Sequence, residues 1–149
     1  MRYLTISAAV AACAFAATPA LANEARVEAR GGIAWVSGTS TESIGLAVGY
    51  DADLDDSFFA GIEAVADTDF DFSDPVLGVN ARLGANVGEG GKAFVTAGYA
   101  YDTWSEFDDA VIGAGYQHNI GTNALLSIQY QRYVDLDINR ATVGLGFRF

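Results

Sequence analysis

Cysteine, lysine and histidine are almost absent from this chain of 149 residues. Cys13 is the only cysteine and lies within the first 22 residues, so removal of that stretch would leave neither disulfides nor thiol chemistry. Lys92 is the only lysine, and His118 is the only histidine. Positive charge is scarce altogether, because 8 Lys and Arg stand against 19 Asp and Glu, a net charge of −11. We therefore expect no nucleic-acid partner, since such binding depends on neutralising phosphates.

The first 22 residues predict a cleavable signal peptide. Arg2 supplies the positive start, and an apolar run follows from Tyr3 to Ala17. The small residues Ala20 and Ala22 form the pattern after which signal peptidase cuts, so cleavage is predicted after Ala22. A lipoprotein is the alternative, because the residues up to Cys13 resemble a lipobox. The chain is thus divided into a signal peptide, 1–22, and one domain, 23–149.

Residues 23–149 lack helical periodicity and instead show eight short segments of alternating polarity. Val76 to Val87 alternates most cleanly, with Leu77, Val79 and Leu83 on one face and Gly78 and Arg82 on the other. Segments of this length, joined by turns, suit membrane-spanning strands, and an even number of them can close so that no edge is left in the hydrocarbon. The sequence therefore predicts an all-β fold, an eight-stranded antiparallel up-and-down transmembrane barrel. The predicted strands are Glu24–Val36, Ser43–Asp51, Phe58–Asp67, Val76–Val87, Ala93–Asp102, Ala110–His118, Ala124–Tyr133 and Asn139–Phe149.

Glycine and alanine dominate the face opposite the apolar one, which would make a poor soluble surface but suits a narrow barrel interior. The large residues of that face are mostly arginines, whose planar fork serves several acceptors and stays charged when buried. We predict that they form an interior charge network with two glutamates, while Lys92 lies in a turn, Gly88 to Lys92. The predicted network is Arg26, Glu28, Arg30, Glu63, Arg82, Arg140 and Arg148.

The last segment carries the most specific pattern in the chain. Its polar Thr142, its Gly144 and the aromatic Phe147 and Phe149 resemble the C-terminal signal strand of bacterial outer-membrane β-barrels, which the assembly machinery recognises as an edge to be paired. A soluble chain seldom ends on an aromatic residue of the apolar face.

Residues 23–149 as a whole resemble the OmpA/OmpX-like eight-stranded barrels, called opacity or porin-family proteins. The resemblance also draws on Arg26-Val27-Glu28, Gly61-Ile62-Glu63-Ala64 and Gly113-Ala114-Gly115. It implies a location in the outer membrane of a Gram-negative bacterium. Lipid, lipopolysaccharide and the barrel-assembly machinery are then its partners.

The predicted topology places both ends of the barrel domain in the periplasm. Four connections then lie outside the cell, where a surface partner could bind them: Ser37 to Glu42, Asp67 to Pro75, Thr103 to Asp109 and Val134 to Ile138. Trp104 and Phe107 in the third are expected to anchor at the lipid interface, and contact with a partner is the alternative. The second begins Asp67-x-Asp69-x-Asp71 but lacks the glycine and glutamate of a calcium loop, so only weak divalent binding by its carboxylates, bridging to lipopolysaccharide, remains as an alternative.

No residue pattern in the chain predicts catalysis, a cofactor or a metal centre. His118 falls at the periplasmic rim, away from the outer rim where barrel enzymes of lipid A hold their histidine. A barrel of eight strands has an interior just filled by side chains. The sequence therefore predicts a non-enzymatic protein with a structural or surface-interaction role in envelope integrity or adhesion. A narrow porin-like channel and a soluble periplasmic ligand-binding barrel are the alternatives.

Overall fold

The computed structural model describes residues 23–69, 75–102 and 108–149. All regular structure in these ranges is β-strand, and no helix in them is long and apolar enough to cross a membrane. Each strand alternates small or polar residues with apolar ones, the period that places successive side chains on opposite faces. The strands are β1 (Asn23–Val36), β2 (Thr39–Asp53), β3 (Phe58–Thr68), β4 (Val76–Val87), β5 (Gly91–Asp102), β6 (Asp108–Ile120), β7 (Ala124–Tyr133) and β8 (Asn139–Arg148).

The strands pair in chain order and close into a barrel through antiparallel pairing of β1 with β8. The closing register runs from Arg26 opposite Arg148 to Trp35 opposite Asn139. Closure gives the backbone groups of every strand a partner on both sides along its paired length, which a strand in lipid requires. The predicted fold class is confirmed.

The two ends of the barrel differ. The end that carries Asn23 and Phe149, called here the termini end, has the connections 54–57, 88–90 and 121–123. At the other end, called the loop end, the connections are 37–38, 69–75, 103–107 and 134–138. Residues 70–74 and 103–107 lie outside the described ranges.

Two predicted turns are wrong. Ser37 to Glu42 was expected as a loop, but the chain turns at Ser37 and Gly38 alone, both with positive φ, and β2 begins at Thr39. Lys92 was expected in a turn, but β5 already begins at Gly91. Polar side chains near a strand end resemble loop composition, and only pairing with a neighbour reveals the strand.

Candidate functional site

The interior of the barrel holds a continuous set of buried charged side chains. Arg26 lies at its centre with 1 % of its surface exposed, and its guanidinium contacts three carboxylates. Its nitrogens lie 2.9 Å from Glu28 Oε1, 3.0 Å from Asp51 Oδ1 and 2.7 Å from Glu63 Oε2. Each contact is also a hydrogen bond, so each of the three guanidinium nitrogens donates to a carboxylate.

Glycine makes room for this centre. Gly49 lies beside Arg26 in the register between β1 and β2, and a Cβ atom at this position would overlap the guanidinium. Gly144 plays the same part near Glu28, since a Cβ there would lie 2.6 Å from Glu28 Oε2. The small residues of the interior face therefore leave the space that the large charged side chains occupy.

Further cations extend the network toward the termini end. Lys92 Nζ lies 3.3 Å from Glu24 Oε1, and Arg148 Nη1 lies 3.0 Å from Glu24 Oε2. Arg82 packs over the ring of Phe94, 3.9 Å from its centroid, and lies 3.5 Å from Asp51 Oδ2. A cation over an aromatic face gains attraction without needing a hydrogen bond.

A separate pair lies near the loop end. Arg140 Nη1 donates to Asp67 Oδ2 at 2.5 Å, and its Nε donates to Gln131 Oε1 at 3.1 Å. Asp109 caps the connection 134–138 by accepting from the amides of Asp135 and Leu136 at 3.0 and 3.1 Å. This connection is therefore fixed against the inside of the barrel.

The predicted network residues lie on the interior side, all buried except Arg148, which is half-buried at the termini end. The sequence interpretation missed several of their partners: Glu24 begins a predicted strand, Asp51 and Asp67 end predicted strands, and none of the three was assigned to the interior network. Lys92 is a member of the network and is buried, contrary to its expected place in a turn. Strand phase would have found them, since each lies an even number of residues from a predicted interior position.

Large apolar side chains cover the outside of the barrel. Ile62 is 64 % exposed, Leu145 62 % and Phe147 62 %, while Arg26 is almost wholly buried. Such a surface is unfavourable in water at this extent and favourable against acyl chains. A soluble carrier needs the reverse arrangement, with apolar residues inside, so that alternative is wrong. The chain is a transmembrane β-barrel.

Similar solved structures agree with the fold of this transmembrane barrel. The crystal structure of Neisserial surface protein A has a TM-score of 0.63 at 11 % identity and covers 85 % of this chain and 95 % of that one. Ail, the attachment invasion locus protein of Yersinia pestis, has a TM-score of 0.62 at 15 % identity, with coverage of 87 % and 100 %. The N-terminal β-barrel domain of Pseudomonas aeruginosa OprF has a TM-score of 0.58 at 22 % identity, with coverage of 85 % and 97 %.

The transmembrane barrel matches no family profile and no curated protein. Its likeness to the three structures is one of fold, that of eight-stranded outer-membrane-type barrels, as the resemblance in the sequence implied.

Aromatic and polar residues of the outer face mark the two rims of the barrel. Tyr99 donates to Asp108, and Tyr130 donates to Asn139 at 2.6 Å, both near the loop end. His118 is exposed near the termini end and stacks on Tyr116 with ring centroids 6.4 Å apart. Tyrosine and histidine rings near the two ends of the barrel wall match the aromatic girdles of transmembrane barrels.

Each end of the barrel opens into a mouth. The loop-end mouth is a cavity of about 420 Å³, lined among others by Asp67, Ala100 and Arg140. The termini-end mouth is about 400 Å³, lined among others by Glu24, Lys92 and Arg148. The two cavities share no lining residue.

Several predicted residues are not placed by the structure. The cleavage residues Ala20 and Ala22, the interface candidates Trp104 and Phe107, and Asp71 lie outside the described ranges. Asp67, a candidate for weak divalent binding in a loop, instead faces the interior and pairs with Arg140. Within the described ranges, no group of three metal-ligating side chains is present.

Three residues of the predicted assembly signal lie on β8, and the fourth, Phe149, follows it directly. Thr142 and Gly144 lie inside, where Thr142 is buried, while Phe147 and Phe149 are exposed on the outside. The backbone of Phe149 pairs with Ala25, donating to its carbonyl at 2.8 Å. Their role in assembly remains a prediction.

Proposed function

We propose that the protein is a non-enzymatic, non-conducting barrel of the outer membrane with a structural or surface-interaction role in envelope integrity or adhesion. Its loop end faces the cell exterior and its termini end the periplasm. Lipid and lipopolysaccharide surround it, and a surface partner binds at the loop end. The name of Ail, an attachment invasion locus protein, supports this type of role for its fold.

The observation that carries the proposal is the layer of side chains between the two mouths. Phe59 and Gln117 in this layer have 0 % of their surface exposed, and Glu63 has 2 %. Side chains that line a water-filled passage contact water, so such burial supports a filled interior. The ion pairs around Arg26 then hold the layer together, because separating them would expose buried charge without a partner.

The positions of the nucleophile and base candidates support a non-enzymatic role. Ser127 Oγ donates to Glu28 Oε2 at 2.5 Å inside the filled layer, where a substrate has no access. His118 is on the outer face near the termini end, on the lipid side of the barrel wall. An activated serine requires its base within hydrogen-bond reach, and the wall separates His118 from Ser127, whose side chain faces the interior.

Planar-bilayer recordings test the filled interior. We expect the purified protein, inserted into the bilayer, to give no large, steady conductance, because the layer around Arg26 blocks the axis. A porin reconstituted in the same way is the positive control. Folding of the barrel is verified by its resistance to SDS without boiling, and insertion by flotation of the protein with the lipid vesicles that are fused to the bilayer. Steady conductance that scales with the inserted protein would contradict the proposal and favour a narrow channel.

The assembly signal calls for a second experiment, which separates recognition from stability. We expect the double variant Phe147→Ser, Phe149→Ser to be depleted from the outer membrane in cells yet to refold from urea in detergent micelles like the unchanged protein. The reason is that both rings lie on the outer surface and leave the interior network untouched. The matched control is Phe58→Ser, an outward phenylalanine of β3 outside the last strand. Equal depletion by the control would argue against a signal in β8.

A further inference from the structure

The loop-end mouth combines a charged floor with apolar walls. The ion pair of Asp67 with Arg140 forms its floor, while Val76, Ala100 and Ile138 are among its walls. Its volume of about 420 Å³ is within the usual range for small-molecule sites. The fixed connection 134–138 contributes one side of the wall, so the cavity is built on strands and an anchored turn.

Negative charge dominates this mouth. Among the lining residues that the structure describes, Arg140 is the one cationic residue, against five with carboxylates: Glu42, Asp67, Asp69, Asp102 and Asp109. In the sequence, the four connections of the loop end contain no lysine and no arginine. A cleft lined by one sign of charge with low-dielectric walls concentrates ions of the opposite sign.

The floor also holds an acceptor that lacks a donor. Asp67 is 4 % exposed, and its Oδ2 is taken by Arg140, but its Oδ1 has no hydrogen-bond partner among the described residues. Because this Oδ1 packs against Gly45 and is closed to the cavity, the attraction for a cation comes from the summed carboxylate charge of the mouth and not from a free acceptor.

We propose that the loop-end mouth binds a small organic cation, an ammonium or guanidinium group on a short apolar stem. The cationic head lies near Asp67 and the acidic rim, and the stem packs against Val76, Ala100 and Ile138. A free diamine and the side chain of a basic peptide share this chemistry. An anion is disfavoured, because the guanidinium of Arg140 is already occupied by Asp67 and Gln131.

The inference rests on the proposed function in one respect: a ligand from outside the cell reaches this mouth only if the loop end faces the exterior. Binding to purified protein does not depend on orientation or on conductance. A conducting barrel that binds cations would refute the proposed function alone, and a non-conducting barrel that binds none would refute this inference alone.

Calorimetric titration of the folded protein in octyl glucoside, a neutral detergent, tests the site. The probes are cadaverine for the free diamine and acetyl-lysine amide for the peptide side chain. We expect saturable binding of at least one probe, weakened about tenfold between about 0.05 and 0.5 M salt because the attraction is screened. The probe that binds more tightly identifies the source. Absence of saturable binding for both would overturn the proposal.

Three variants locate the binding. Ala100→Phe fills the cavity without changing charge and should lower the affinity more than about tenfold. Glu42→Gln at the rim should lower it about threefold, whereas the matched Asp135→Asn, whose side chain lies outside the lining, should change it less than about twofold. If Ala100→Phe fails the SDS-resistance test for folding, Ile138→Trp narrows the same cavity and replaces it.

Two outcomes contradict the site. Unchanged affinity in the cavity-filling variant would show that the probe binds to dispersed surface carboxylates. Displacement of the organic probe by an equal concentration of magnesium, with the same response to Glu42→Gln, would assign the mouth to metal ions.

Discussion

Arg26→Met lowers the free energy of unfolding by about 3 to 5 kcal/mol, because it leaves buried carboxylates without their common partner. Glu28, Asp51 and Glu63 each lie within 3.0 Å of this guanidinium, and each is at most 3 % exposed. Urea unfolding in lipid bilayers, followed by tryptophan fluorescence, measures the loss. The double variant Arg26→Met, Glu28→Gln should recover part of it, because Arg26 is the one ion-pair partner of Glu28 among the described residues, whereas Glu63 also pairs with Arg30.

The matched control is Arg132→Met. Arg132 pairs with Asp137 near the loop end, and both side chains are largely exposed, so the expected loss is about 0 to 1 kcal/mol. Equal losses for Arg26 and Arg132 would show that the interior pairs are solvated, and the filled interior would then be incorrect.

Ile128→Arg is expected to lower the free energy of unfolding by about 2 to 4 kcal/mol, the effect of a charge on the lipid face near the bilayer midplane. Ile128 lies near the middle of β7, is 58 % exposed and pairs with Val143 and Tyr116 of the neighbouring strands. In water, a residue so exposed would accept arginine at little cost. The same unfolding measurement in bilayers gives the value.

Val134→Arg provides the comparison for Ile128. Val134 is also exposed but lies in the connection after β7, outside the strands, so we expect a change within about 0.5 kcal/mol. If arginine at Ile128 were tolerated as well as arginine at Val134, the outer face would not contact acyl chains.

The strands and their faces could be predicted from the sequence because alternation is a local property. Val76–Val87 and Ala124–Tyr133 were predicted with the bounds that the structure shows. The face of each strand followed from residue size, since glycines such as Gly78 and Gly84 suit a crowded interior better than a surface. Local pattern failed at strand ends, where Thr39 to Glu42 and Lys92 carry the composition of turns.

The pairing of interior charges could not be predicted from the same pattern. Arg26 reaches Glu63 across two strand boundaries, and Arg140 pairs with Asp67, 73 residues away in the chain. Which carboxylate meets which arginine depends on the register of every intervening strand and on the tilt of the barrel. The loop-end mouth depends on the same geometry, because its lining residues come from many strands.

The sequence by itself determined that this chain forms eight alternating strands with an apolar face and a face of glycine and arginine, because a period of two needs only neighbouring residues. Closure of the barrel determined which charged side chains meet and where the mouths lie. Only when β1 meets β8 do the charged side chains of all strands converge on one axis, where exclusion of water makes their pairing strong and leaves a separate mouth at each end.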